Sequence, residues 1–217
     1  MEKLDLKKMY AHLYKASAKK PSLVEVPAMN FLMVDGQGDP NTSPEFQSAI
    51  DSLYGLSYTL KFGFKMRKGI DWTVMTLEGL WWTDASERLA AMTTADEIAA
   101  FLAASKGTWK WTLAVMQPDV VTPAALGEAR EELQRRHPEK AGLERVRLER
   151  FEEGPAAQVL HVGPYTDVGP TTERLLAFVR ENGCAPTGKH HEIYLSDPRR
   201  TAPEKLKTIL RHPVRKA

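Results

Sequence analysis

The segment His190-His191-Glu192-Ile193-Tyr194-Leu195 has residue types and spacing that could do chemistry. Read as a strand, it puts residues 190, 192 and 194 on one face and 191, 193 and 195 on the other. The first face then carries His190, Glu192 and Tyr194. A carboxylate beside a phenol is an acceptor–donor pair. In a dry groove the carboxylate attracts a cation or takes a proton from water, and the phenol donates one. His191, Ile193 and Leu195 read as the core face. The same alternation also suits the polar face of an exposed edge strand, and spacing alone leaves both readings open.

A second cluster is aromatic. All five tryptophans fall between Trp72 and Trp111, and Leu77-Glu78-Gly79-Leu80-Trp81-Trp82 joins a carboxylate to two of them. Neighbouring residues on an extended chain point to opposite faces, so one of Trp81 and Trp82 is expected in the core and the other at a cavity. Trp109 and Trp111 share a face. Aromatic walls with a carboxylate suit flat, lipophilic, often cationic ligands. Core packing is the other use of such tryptophans. Glu78 is a reserve carboxylate.

Other chemistries lack their residues. His190, His191 and Cys184 do not have the spacing of a structural metal site, so no metal is expected. Gly36-Gln37-Gly38 lacks the third glycine of a dinucleotide fingerprint. There is no phosphate-binding GxxxxGK[ST] loop and no GxSxG elbow, so no cofactor is expected. Cys184 reads as a small packed residue. As the lone cysteine it forms no intramolecular disulfide, which suits a reducing cytoplasm. Thirty basic against 28 acidic residues leave a formal charge of +2, without the basic excess of a nucleic-acid binder. Basic residues between Lys3 and Lys20, and between Arg199 and Lys216, read as solvated faces. No apolar run reaches the roughly 20 residues of a membrane span. These properties leave oligomeric state open.

The elements that must position these residues follow from breakers and periodicity. Residues 1–20 read as a charged, partly helical arm. Leu23–Asp35 reads as one strand ending at Gly36. Ser43-Pro44-Glu45 starts a helix bearing Phe46, Ala49, Ile50, Leu53 and Leu60, with Gly63 as its expected stop. Asp71–Leu77 reads as a strand. Thr94 to Glu97 is a capping box ahead of Ile98, Phe101 and Leu102, and Gly107 closes that short helix. Thr108–Met116 reads as a strand, Thr122 to Arg136 as a helix, and Glu144–Phe151 as a strand antiparallel to the next one. Ala156–Gly163, a helix carrying Thr172, Leu175, Leu176 and Val179, and His190–Leu195 repeat the strand–helix–strand order of the first half. Two such units around one groove make a single domain over residues 1–217, with half-units of about 21–117 and 118–217.

With these residues assembled, the chain resembles the GyrI-like small-molecule-binding family. The likeness rests on Val26-Pro-Ala-Met29, Asp35-Gly-Gln-Gly-Asp39-Pro-Asn41, Leu77-Glu-Gly-Leu-Trp-Trp82, Met116-Gln-Pro-Asp119, Val162-Gly-Pro-Tyr165 and Lys189-His-His-Glu-Ile-Tyr-Leu-Ser-Asp197. The resemblance implies an α+β fold. Duplicated strand–helix–strand–strand modules would form a pseudo-symmetric antiparallel sheet, with helices on one side and a central ligand groove. In multidrug-sensing relatives a buried Glu in that groove meets cationic drugs, and Glu192 is the matching position. Stand-alone relatives include hydrolases that open cyclopropane-bearing alkylators. This implies Glu192 as base, Tyr194 as proton donor and Tyr165 as reserve donor, with Trp81, Trp82, Trp109 and Trp111 holding the ligand beside His190. The other functions considered are a non-catalytic binder that sequesters or senses hydrophobic molecules, and a gyrase-inhibitor-like contact protein.

Overall fold

The computed structural model describes residues 1–217, with side chains described at all positions other than 87, 89, 90 and 106. The N-terminal arm holds β1 (Glu2–Leu4), α1 (Leu6–Met9) and α2 (Ala11–Tyr14). The first half continues through β2 (Ser22–Val26), β3 (Met29–Gln37), α3 (Pro44–Lys68), β4 (Ile70–Trp72), β5 (Leu77–Trp82), α4 (Ala95–Ala104) and β6 (Lys110–Gln117). After α5 (Pro123–Arg136) the second half runs through β7 (Arg147–Phe151), β8 (Gly154–Val162), α6 (Gly169–Glu181), β9 (Cys184–Pro186), β10 (His190–Tyr194) and β11 (Lys207–Lys216).

Among the described residues the main sheet has nine strands in the order β2-β8-β11-β10-β5-β6-β3-β7, with β9 also paired to β11. Every ladder in it is antiparallel. The order is pseudo-symmetric about the β5–β10 junction, as the resemblance implies. Each half also lends a strand to the other: β2 pairs with β8, and β7 pairs with β3. The expectation that β7 pairs with the strand after it is therefore corrected. The intervening Glu152 to Gly154 connection leads instead to the opposite end of the sheet.

Helices α3 and α6 lie on one face. Opposed residues of an antiparallel pair share a face, so the ladders place Trp111, Trp81, His190, His212 and Ala157 together. Phe46 of α3 meets Trp111 edge-on at 5.2 Å. Leu175 and Val179 of α6 pack with Ala157, Val159 and Leu210. The other face receives the arm, through the buried Leu13 and Tyr14.

Local chemistry explains the helix limits. Ser43 accepts from the Phe46 amide, Pro44 occupies the first turn and Glu45 favours the positive end. Gly63 does not stop the helix. Buried Leu60 and Phe64 continue the apolar stripe, and Phe64 packs on Trp72 at 5.7 Å. The stop is Gly69, at φ 66°, whose amide bonds the Phe64 carbonyl.

Three other expectations change. Leu23–Asp35 is two strands, β2 and β3, broken at Pro27-Ala28. Asp71–Leu77 is not one strand: β4 ends at Trp72 and β5 begins at Leu77. The basic C-terminal segment is a solvated face at Arg199, Arg200, Lys205, Lys207, Arg215 and Lys216, but not at its centre. Thr208–His212 is buried between β10 and β8, because Ile209 and Leu210 anchor it and Arg211 finds buried acceptors. The N-terminal arm is likewise anchored, with β1 parallel to β4.

Candidate functional site

Strand β10 is central, flanked by β5 and β11, so its polar face is not that of an edge strand. On the helix-bearing face, Glu192 lies opposite Gly79 and His190 opposite Trp81. His190 Nε2 is 3.2 Å from Glu192 Oε1. Trp81 Nε1–H donates to the Tyr194 phenol oxygen at 3.0 Å. Burial, then the charge of Glu192 and a hydrogen bond to it, raise the Tyr194 pKa well above its ordinary value. The phenol therefore stays protonated and poised as a donor next to a carboxylate. Tyr165 stands edge-on to Tyr194 at 5.7 Å and is partly exposed. Burial and the charges of Glu192 and Asp197 raise its pKa too.

The remaining predicted residues divide. Trp109 is half-buried and edge-on to Trp81 at 6.1 Å, and Phe46 lies 5.8 Å from Trp81. Trp111 shares this face but is fully buried beneath Phe46, so it supports the wall from within. Glu78 and Trp82 point to the opposite face, because β5 alternates between Gly79 and Trp81 on one side and Glu78, Leu80 and Trp82 on the other. Trp82 is covered by Lys189, whose ammonium is 3.4 Å from the ring centre. Tyr54, which sequence reasoning did not select, lies 6.5 Å from Tyr58 on α3. Its phenol lies against the Leu77 backbone and near Asp197 and Arg199.

Gly79 makes the Trp81–Tyr194 contact possible. A Cβ there would stand 2.6 Å from Trp81 Nε1 and 3.2 Å from the Tyr194 oxygen. Gly79→Ala is expected to separate the two rings, cost about 1–3 kcal/mol by overpacking, and alter tryptophan fluorescence. Unchanged fluorescence and unfolding midpoint would show that the rings accommodate the methyl.

Behind the same strand lies a charged cluster. His191 was expected to be apolar core. It is buried, but Nε2 lies 3.0 Å from Glu78 Oε2 and Nδ1 3.0 Å from Glu153 Oε2. Tyr14 donates to Glu78 Oε1 at 2.5 Å. Arg211 bridges Glu153, Gln158 and the Leu13 carbonyl. Burial alone disfavours the imidazolium, but Glu153 and Glu78 outweigh it and raise His191 to about 9. Burial likewise opposes charge on Glu153, yet His191 and Arg211 lower it to about 2. Two cations thus compensate two carboxylates, as a buried ionic cluster requires. An Arg and a His in otherwise apolar strands were the signal available in the sequence; their partners come from β5, β8, α2 and the turn between β7 and β8.

Among the described residues, no group of three or more His, Cys, Asp or Glu is arranged to hold a metal ion. Among the described residues, no helix is long and apolar enough to cross a membrane. Two surface concavities lie away from the Glu192 face: about 450 Å³ beside Arg130 and Leu143, and about 200 Å³ between the arm and Met29, Met116 and Pro118. The first holds no phenol; the second holds Tyr10 and Asp119, but that carboxylate is taken up by Asn30 and Arg150, whereas on the Glu192 face the Tyr194 phenol is bonded to Trp81 beside the carboxylate.

Residues 19–215 match the family described as the GyrI-like small molecule binding domain. The chain belongs to that family. A Listeria innocua structure described as an uncharacterized conserved protein is 41% identical to this GyrI-like domain. It covers 98% of this chain and 100% of its own, with a TM-score of 0.86. Two more Listeria innocua structures, each described as a hydrolase, are 40% and 39% identical, with TM-scores of 0.82 and 0.84. They cover 98% and 99% of this chain and 100% of their own. No curated protein matches the chain.

Proposed function

We propose that this GyrI-like domain binds flat, lipophilic molecules between α3 and α6 and hydrolyses electrophilic ones by opening a strained ring. The observation that carries the reading is the Glu192–Tyr194 pair, with its phenol fixed by Trp81 and its carboxylate beside His190. The hydrolase description of the two Listeria relatives supports it.

The chemistry suits a cyclopropane conjugated to a carbonyl. Glu192 takes a proton from water as the water oxygen bonds to a ring CH₂. The strained C–C bond breaks, and its electron pair passes through the conjugated system to the carbonyl oxygen, which takes the Tyr194 proton. Transfer of the proton from Glu192 to the tyrosinate restores both groups. Trp81, Trp109 and Tyr165 provide aromatic surface for a flat substrate. Glu78 and Trp82, on the far face, take no part.

The purified chain should be incubated with a spirocyclopropyl dienone and the products followed by mass spectrometry. Addition of one water over many turnovers is the expected result. Depletion that stops at one ligand per chain would replace hydrolysis by sequestration, which the family's small-molecule-binding description also accommodates.

A further inference from the structure

We propose that the outward face of α3 is the contact surface of a homodimer, in which two copies pack antiparallel about Tyr58. This inference is independent of the groove chemistry. The inner face of α3 is used up by the core through Ala49, Leu53, Leu56, Leu60 and Phe64. Its outer side carries a second apolar row at four-residue spacing: half-buried Tyr54, then Tyr58, Phe62 and Met66, exposed by 47%, 53% and 82%. Tyr54 and Tyr58 lie 6.5 Å apart, and Tyr58 and Phe62 stack at 6.3 Å. At 1.5 Å per residue the row extends for roughly 18 Å. Single exposed apolar side chains are ordinary, but a continuous row rich in aromatics and Met is the composition of an interface core.

The charges choose the occupant. Asp51 and Lys65 lie seven residues either side of Tyr58, two helical turns each way, and so share its side of the helix. A two-fold, antiparallel pairing about Tyr58 sets Asp51 of each copy against Lys65 of the other, and opposes the helix dipoles. Parallel pairing would set Asp51 against Asp51. Both groups are accessible. Asp51 is exposed and accepts from Gln47 of the same helix. The Lys65 side chain is 37% exposed and lies 3.1 Å from Asp71, which also holds Lys61. An anionic lipid surface fits less well, because Asp51 stands within the row itself.

The test is sedimentation velocity on the full chain from about 1 to 100 µM, the range of an interface of modest size. A monomer–dimer equilibrium is expected. D51K and K65D should each weaken it at least about tenfold, because two ion pairs become two repulsions. Mixing D51K with K65D should restore a dimer, since only the mixed pair is complementary. F62S should weaken dimerisation while far-UV circular dichroism stays unchanged. A monomer throughout this range would overturn the proposal. So would a dimer indifferent to D51K and K65D, or a monomer that binds phosphatidylserine vesicles through Phe62.

Discussion

Glu192→Gln is expected to reduce ring opening roughly 10³-fold, within the range a positioned proton acceptor contributes, while ligand affinity changes little. The amide keeps the size of the carboxylate opposite Gly79, so the shape of the surface is conserved. It loses the capacity to take a proton from water. It also stops favouring the protonated Tyr194 phenol through charge. Tyr194→Phe should lower the rate as well and leave Trp81 Nε1–H without its acceptor. Single-turnover kinetics with a fluorescence binding titration separate the effects. A Glu192→Gln chain with unchanged affinity and unchanged rate would remove Glu192 from the chemistry and return the groove to simple binding.

His191→Ala is expected to cost about 3–5 kcal/mol, because it leaves Glu78 and Glu153 buried with one cation between them. The arm should loosen with it, since Glu78 is the acceptor for Tyr14, and limited proteolysis should cut near residues 15–20 in the variant before the native chain. The cluster also sets a pH dependence. His191 is raised from 6.5 to about 9, so its contribution is complete below 6.5 and is lost as pH rises through 9. Glu153 is lowered from 4.5 to about 2, so its contribution is complete above 4.5 and is lost as pH falls through 2.

His212 acts on the acid side too. Burial, then the charge of His190, lowers it from 6.5 to about 3. Its ring nitrogens have no aligned hydrogen-bond partner, although the Thr187 backbone pulls weakly the other way. An unfolded chain binds this proton more readily, so stability falls as pH drops below 6.5. The unfolding midpoint in urea should therefore peak near pH 6.5, with an alkaline limb of roughly 3 kcal/mol complete by about pH 9. His191→Gln should flatten that limb. A flat profile in the native chain would remove the charged imidazolium from the account.

Much of this was legible in the letters because it is local. Ser43-Pro44, Thr94 to Glu97 and Thr122-Pro123 start helices through groups within three residues of one another. The alternation of β10 placed His190, Glu192 and Tyr194 on one face for the same reason. Gly63 misled because a glycine weakens a helix without ending one when buried Leu60 and Phe64 continue the stripe. The pairing of β7 with β3 and of β2 with β8 was hidden, since nothing local records which strand closes a ladder across more than a hundred residues.

What the sequence determined by itself was the chemistry on offer: a carboxylate and a phenol two residues apart, tryptophans clustered in one half, and a duplicated strand–helix–strand order. What only the tertiary structure decided was where each side chain faces and with what. It made β10 central rather than an edge. It sent Glu78 and Trp82 to the far face and turned His191 from apolar core into an ionic hub. Period-two alternation is a property of one strand, whereas a face acquires its partners from strands and helices distant in sequence.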